Sequence, residues 1–104
     1  MKTLLATLLS GTFFLAAPAV HAADAAPLLQ KAGCVACHST DKKILGPSFK
    51  DVSAKYKGKD MEAALVKKVK DGGSGAWGAM PMPPNTGKLS DDEFKTVVKW
   101  ILSL

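Results

Sequence analysis

The chain has no arginine, so all of its 14 basic side chains are lysine. A nucleic-acid role is unexpected without guanidinium groups to read base edges or clamp phosphates. It has only two cysteines, Cys34 and Cys37 with two residues between them, and two histidines, His21 and His38. His21 falls in the export leader described below, and the three groups that remain, all in one turn, are short of the four ligands that close a structural zinc site. Aromatics are few, and there is no apolar run of the length that crosses a bilayer. No stretch alternates apolar and polar residues as a half-buried strand does, and no segment repeats.

The first 22 residues read as an export leader. Lys2 gives a positive start, and Leu4 to Leu15 is a mostly apolar run. Val20-His21-Ala22 then offers small-residue cleavage logic with Ala22 before the cut. An uncleaved anchor is the alternative, and the run is short for it. The expected division is residues 1–22 as a cleaved signal peptide and 23–104 as the working domain, located in the periplasm. Removal of the leader leaves 82 residues carrying net charge +4, with Phe49, Tyr56, Trp77, Phe94 and Trp100 as the only aromatics. A core that small usually needs reinforcement from a disulfide, metal or cofactor.

Cys34-Val35-Ala36-Cys37-His38 supplies it. Two thiols separated by two residues and followed by histidine is the spacing that attaches c-type haem. Both sulfurs can reach the two vinyl groups of one porphyrin, and the next residue is directed at the iron. A Cys34–Cys37 disulfide would close too short a loop to constrain the unfolded chain much. A thioredoxin-like pair would need a βαβ context that is missing. The expected cofactor is one covalent haem c, with His38 as an axial ligand.

Punctuation places the helices. Pro27 suits the first turn of a helix carrying Leu28, Leu29 and Ala32, ending near Gly33. Ser48 with Asp51 three residues on starts a short helix to about Lys55, burying Phe49 and Val52. Asp60 is the expected cap of a third helix with Met61, Ala64, Leu65 and Val69 on one stripe and Asp71-Gly72-Gly73 as its stop. Ser90 and Glu93 form a capping box ahead of Phe94, Val97, Val98, Ile101 and Leu104, with Trp100 beside that stripe. The last helix is expected to pack across the first near Leu29 and Gly33.

Between the last two helices, residues 72–85 hold Trp77, Met80, Met82 and three prolines among glycines. Prolines fix backbone angles and lower unfolded-state entropy, which suits a loop that holds one side chain still. A methionine thioether is the natural second axial ligand, and Met/His ligation raises the potential of a c-type haem. Pro81, Pro83 and Pro84 favour Met82, with Met80 as the alternative and Met61 as core filler.

GCVACH at 33–38, GPSFKDVSAKY at 46–56, GAWGAMPMPPN at 75–85 and SDDEFKTVVKWILSL at 90–104 together resemble a small class I bacterial cytochrome c of the c551/c552 (cytochrome c8) type. The resemblance spans residues 24–104. It implies an all-α class I cytochrome c fold, four or so short helices around one haem. It implies His38 and Met82 as axial ligands, the Pro47 carbonyl accepting the His38 ring N–H, the Asn85 amide orienting the distal sulfur, and the Trp77 indole meeting a haem propionate. A plain core tryptophan is the other reading of Trp77. Two departures stand out. Lys68 occupies a place where some relatives carry arginine, and the Thr86-Gly87-Lys88-Leu89 link is longer than the matching one.

The expected function is one-electron carriage, not enzymatic turnover, by a monomer without a membrane span. Its partners would be acidic periplasmic redox proteins, such as a nitrite reductase, peroxidase or oxidase, steered by the lysines. The small apolar surface around Cys34, Val35 and Ala36 would seat them. A haem sensor or enzyme with an open sixth position is the competing class.

Overall fold

The computed structural model describes residues 11–13 and 19–104. Most of the expected leader therefore lies outside the described residues. The order of elements is α1 (Ala22–Lys31), a single 3-10 turn (Cys34–Ala36), α2 (Phe49–Tyr56), α3 (Glu62–Asp71), β1 (Gly73–Gly75), β2 (Gly78–Met82) and α4 (Asp91–Leu102).

α4 organises the rest. Ser90 Oγ accepts the Glu93 N–H at 3.1 Å, and Glu93 Oε1 accepts the Ser90 N–H at 3.0 Å, so the expected capping box is formed. Phe94, Val97, Val98, Trp100 and Ile101 are buried, and α4 packs against α1, α2 and α3. Leu104 differs from expectation: it lies beyond the helix end and is exposed. Its carbonyl is held instead by Ser53 of α2, whose buried hydroxyl contacts Leu104 O at 2.8 Å and Leu102 O at 3.2 Å.

α1 starts earlier than Pro27 suggests. His21 is its N-cap and Pro27 lies inside it. The missing Pro27 N–H leaves the Ala23 carbonyl without its usual intrahelical donor, a cost that the helix absorbs in its second turn. Flanking alanines favour helix, and Ala25 is fully buried. The expected cut after Ala22 falls within this first turn. The helix ends with Gly33 at φ 76°, a left-handed position that lets the chain turn directly into the cysteine motif.

α2 is capped as expected, Ser48 Oγ accepting from Asp51 N at 3.1 Å. Phe49 is buried and Val52 only half-buried. In α3 the cap is Met61, not Asp60, and it makes no side-chain bond. Ala64 is exposed; Val66 and Val69 pack against the core while Leu65 and Val69 line a cavity, so the apolar face of α3 is split between two neighbours.

Among the described residues the helices are joined by an antiparallel β1–β2 hairpin, with Gly73 opposite Met82 and Gly75 opposite Gly78 and an irregularity between. Its residues are almost all exposed, so it never shows the apolar alternation by which strands announce themselves in sequence. Backbone pairing orders residues 73–82 of the segment.

Candidate haem site

A cavity of about 360 Å³ opens between the cysteine turn, α3, α4 and the hairpin. Cys34, Cys37 and His38 line it together with Trp77, Met80, Met82 and Asn85 from the opposite segment. Val97, Val98 and Ile101 of α4 and Leu65 and Val69 of α3 complete mostly apolar walls. In sequence the cysteine motif and the Trp77–Asn85 segment are about forty residues apart, and the fold brings them to one space.

The turn that carries the cysteines is closed by backbone bonds from Cys37 N (3.2 Å) and His38 N (2.9 Å) to Cys34 O. Both thiols are free, unlinked to each other, and half-buried. Burial pushes the Cys34 thiol up, while its own backbone and the Lys88 charge pull the other way. A disulfide is thus not part of the site, and among the described residues no cluster of His, Cys, Asp or Glu could hold a metal without another group.

His38 is fixed on three sides. Its Nδ1 lies 2.8 Å from Pro47 O, a bond in which the ring nitrogen donates. That tautomer leaves the Nε2 lone pair free for a metal. The ring stacks on Phe49 at 5.3 Å and 23°, and Phe49 meets Trp100 of α4 edge-on at 5.6 Å. On the remaining side is the Gly46 backbone. A Cβ there would meet His38 Cε1 in hard contact and stand 2.7 Å from Nδ1 and 3.0 Å from Nε2. Gly46 is a site residue to which the sequence alone assigns no role, although it opens the 46–56 stretch eight residues after the histidine.

Across the cavity, Met82 is half-buried while Met80 is 63 % exposed. Alternate residues of a strand share a face, so the two thioethers differ chiefly in depth. Met82 sits at the inner end of β2, where Gly72 at φ 71° passes so close that a Cβ would strike Met82 O and stand 2.8 Å from Pro83 C. Asn85 is buried, and its amide nitrogen donates to Val69 O at 3.0 Å and Pro83 O at 3.2 Å. Its two N–H bonds therefore tie the segment after Met82 to the backbone of α3. Trp77 is 42 % exposed at the hairpin tip, which excludes the reading of a plain core tryptophan. Lys55 Nζ lies 4.4 Å from the Trp77 ring centroid and donates to Ala76 O at 2.7 Å, clamping the hairpin to α2. Lys68 also lines the cavity.

A flat apolar macrocycle suits this space on the evidence of its donor set: two adjacent thiols for covalent attachment, an oriented imidazole and a facing thioether, all on apolar walls. The cytochrome c family profile matches residues 22–104. The chain is 48 % identical over 101 residues to cytochrome c-551 of Pseudomonas aeruginosa, covering 96 % of this chain and 93 % of that one. It is 45 % identical over 97 residues to cytochrome c-552 of Nitrosomonas europaea, covering 90 % and 93 %. The crystal structure of wild-type Nitrosomonas europaea cytochrome c552 superposes with a TM-score of 0.71 at 46 % identity, over 76 % of this chain and 98 % of that one. A cavity with this donor set and these likenesses lead to one conclusion: the chain belongs to the cytochrome c family, in its small class I c551/c552 type, and is an electron carrier with one covalently attached haem c, not an enzyme.

Proposed function

We infer that the protein is exported through a cleaved leader, residues 1–22, and works in the periplasm as a one-electron shuttle with His38 and Met82 as axial ligands. The observation that carries the ligation is the pairing of an imidazole oriented by Pro47 with the half-buried Met82 across the same cavity. When bound, the haem supplies an Fe(III)/Fe(II) couple. The Pro47 carbonyl holds the His38 ring against rotation and strengthens its donation. Met82, a soft neutral donor, favours the reduced state. Apolar walls from α3 and α4 keep water out and disfavour the extra positive charge of the oxidised state. Cys34 and Cys37 anchor the porphyrin covalently.

If His38 and Met82 both hold the iron, the site would leave no open place for a diatomic ligand. Among the described residues no helix is long and apolar enough to cross a membrane. Val35, Ile44 and Leu45 are exposed large apolar residues in or following the cysteine turn, and Lys42 and Lys43 adjoin them in sequence. That combination suits brief docking of an acidic redox partner, with lysines steering and apolar side chains seating. Trp77 and Lys68 both line the cavity wall, and on this reading they meet the haem propionates.

The test is optical. Oxidised holoprotein should show the weak far-red charge-transfer band of a sulfur–iron bond. Met82→Leu should lose the band and Met80→Leu should keep it. The opposite pattern would transfer the ligand to Met80, and a missing band with ready carbon monoxide binding to the reduced protein would favour an open-site sensor.

A further inference from the structure

The Thr86-Gly87-Lys88-Leu89 link closes back on the cavity through one lysine. Asn85 is 8 % exposed and every polar atom of its side chain is engaged. Its Nδ2 donates to Val69 O and Pro83 O, as above, and its Oδ1 accepts from Lys88 Nζ at 3.1 Å. Lys88 N also donates to Asn85 O at 3.1 Å, closing a turn that brings the ammonium back over the amide. The residue is exposed on its outer side yet forms part of the cavity rim.

The chemistry of the neighbouring segment gives this contact its weight. Pro81, Pro83 and Pro84 have no N–H, so from 81 to 84 only Met82 can donate from the backbone. Such a segment must be held through its carbonyls, by donors from elsewhere. Asn85 Nδ2 on Pro83 O is that donor, one peptide beyond Met82. A cation on the amide oxygen polarises the amide and makes its N–H groups better donors, since bonds in series reinforce one another.

We propose that Lys88 is a positioning residue for Met82: through the Asn85 amide it holds the Pro83 carbonyl, and so keeps the Met82 sulfur in the cavity. This rests on the reading of Met82 as an iron ligand. The device belongs to the 86–89 link, whose turn from Asn85 toward α4 places an ammonium on the amide.

Oxidised holoprotein heated while both the far-red band and far-ultraviolet circular dichroism are followed tests it. Lys88→Met should lose the band at a temperature about 5 °C below the unaltered protein, with the helix melt moving less. Lys88→Arg, which retains a donor cation, should recover most of the difference. Lys59→Met removes the same charge from the α2–α3 link and should leave the band midpoint in place. A Lys88→Met band midpoint equal to that of the unaltered protein would overturn the proposal. So would equal falls in band and helix melt, which would mean that Lys88 merely stabilises the fold. A missing band in the unaltered holoprotein would refute Met82 ligation itself and remove the basis of the inference.

Discussion

Gly46→Ala is the substitution that bears most directly on how the imidazole is held. A Cβ on Gly46 would stand 2.7 Å from His38 Nδ1 and 3.0 Å from Nε2, against about 3.5–4.0 Å for ordinary van der Waals contact. The obstacle is a ring, not the loose end of a flexible chain. It is held by Pro47 O at 2.8 Å and by stacking on buried Phe49. The ring can yield only by breaking one of these contacts, and the backbone only by shifting Gly46, whose N–H donates to Cys37 O at 2.8 Å. Overpacking of this kind costs about 1–3 kcal/mol. Loss of the ring's hydrogen bond adds roughly 0.5–1.5 kcal/mol. Together they amount to about 1.5–4.5 kcal/mol, or roughly 6–36 °C in Tm for a domain of this size. Thermal unfolding of the holoprotein, followed by circular dichroism and by the haem spectrum, reads this directly. Gly58→Ala is the control: Gly58 has φ 76° but open space around its Cβ position, so only backbone strain of about 1 kcal/mol applies. If Gly46→Ala melts as Gly58→Ala does, with an unchanged spectrum, the close approach of backbone to ring has no part in fixing His38.

Three further outcomes are expected. Ser90→Ala removes the cap of α4 and should lower stability by about 1 kcal/mol, measured by urea titration. On acidification, Asp91 and Glu93 should contribute to unfolding: the Lys70 ammonium bonded to Asp91, and the Ser90 N–H bonded to Glu93, hold both carboxyls below their ordinary values. Stabilisation from a lowered carboxyl is complete above the unfolded pKa, near 4, and is lost as pH falls through the folded one, so the Tm of the unaltered protein should drop below pH 4 more than that of Asp91→Asn. Both groups are exposed, so the difference should shrink at 1 M salt. A double Cys34→Ala, Cys37→Ala chain, unable to attach haem, should lack a cooperative melt, and native-like melting by circular dichroism would contradict this.

The parts of the fold legible in the sequence are those settled by local chemistry. Ser90 with Glu93, and Ser48 with Asp51, mark helix starts through bonds between residues three apart, and the apolar stripe of α4 requires no knowledge of what it packs on. The motif Cys34-Val35-Ala36-Cys37-His38 is equally local. What escaped was decided at a distance. α1 runs through Pro27 because Ala25 is buried beneath its neighbours. The cap of α3 falls on Met61 with no side-chain bond at all. The hairpin is a pairing of glycine-rich strands with no buried face, and Gly46 matters only because His38 folds back over it.

The two halves of the site are held by different physics. His38 sits on a short turn bonded to itself, between a proline carbonyl, a buried phenylalanine and a glycine; several contacts over-determine one ring. Met82 lies in an exposed hairpin, and its neighbours Pro81, Pro83 and Pro84 cannot donate to anything. Prolines narrow the segment's unfolded states but do not attach it to the protein. Attachment comes from outside: Asn85 on Val69 and Pro83, Asn85 N and Thr86 Oγ1 on the Lys70 carbonyl, Lys55 on Ala76, and the close approach of Gly72. Each of these is a single hydrogen bond or contact, worth about 1 kcal/mol. Local opening follows the weakest set of contacts in a structure. The methionine side should therefore open before the histidine side, and hydrogen exchange should find the amides of residues 75–82 exchanging well ahead of those at Cys37 and His38. Equal protection of the two segments would mean that the hairpin is as firmly built into the domain as the cysteine turn.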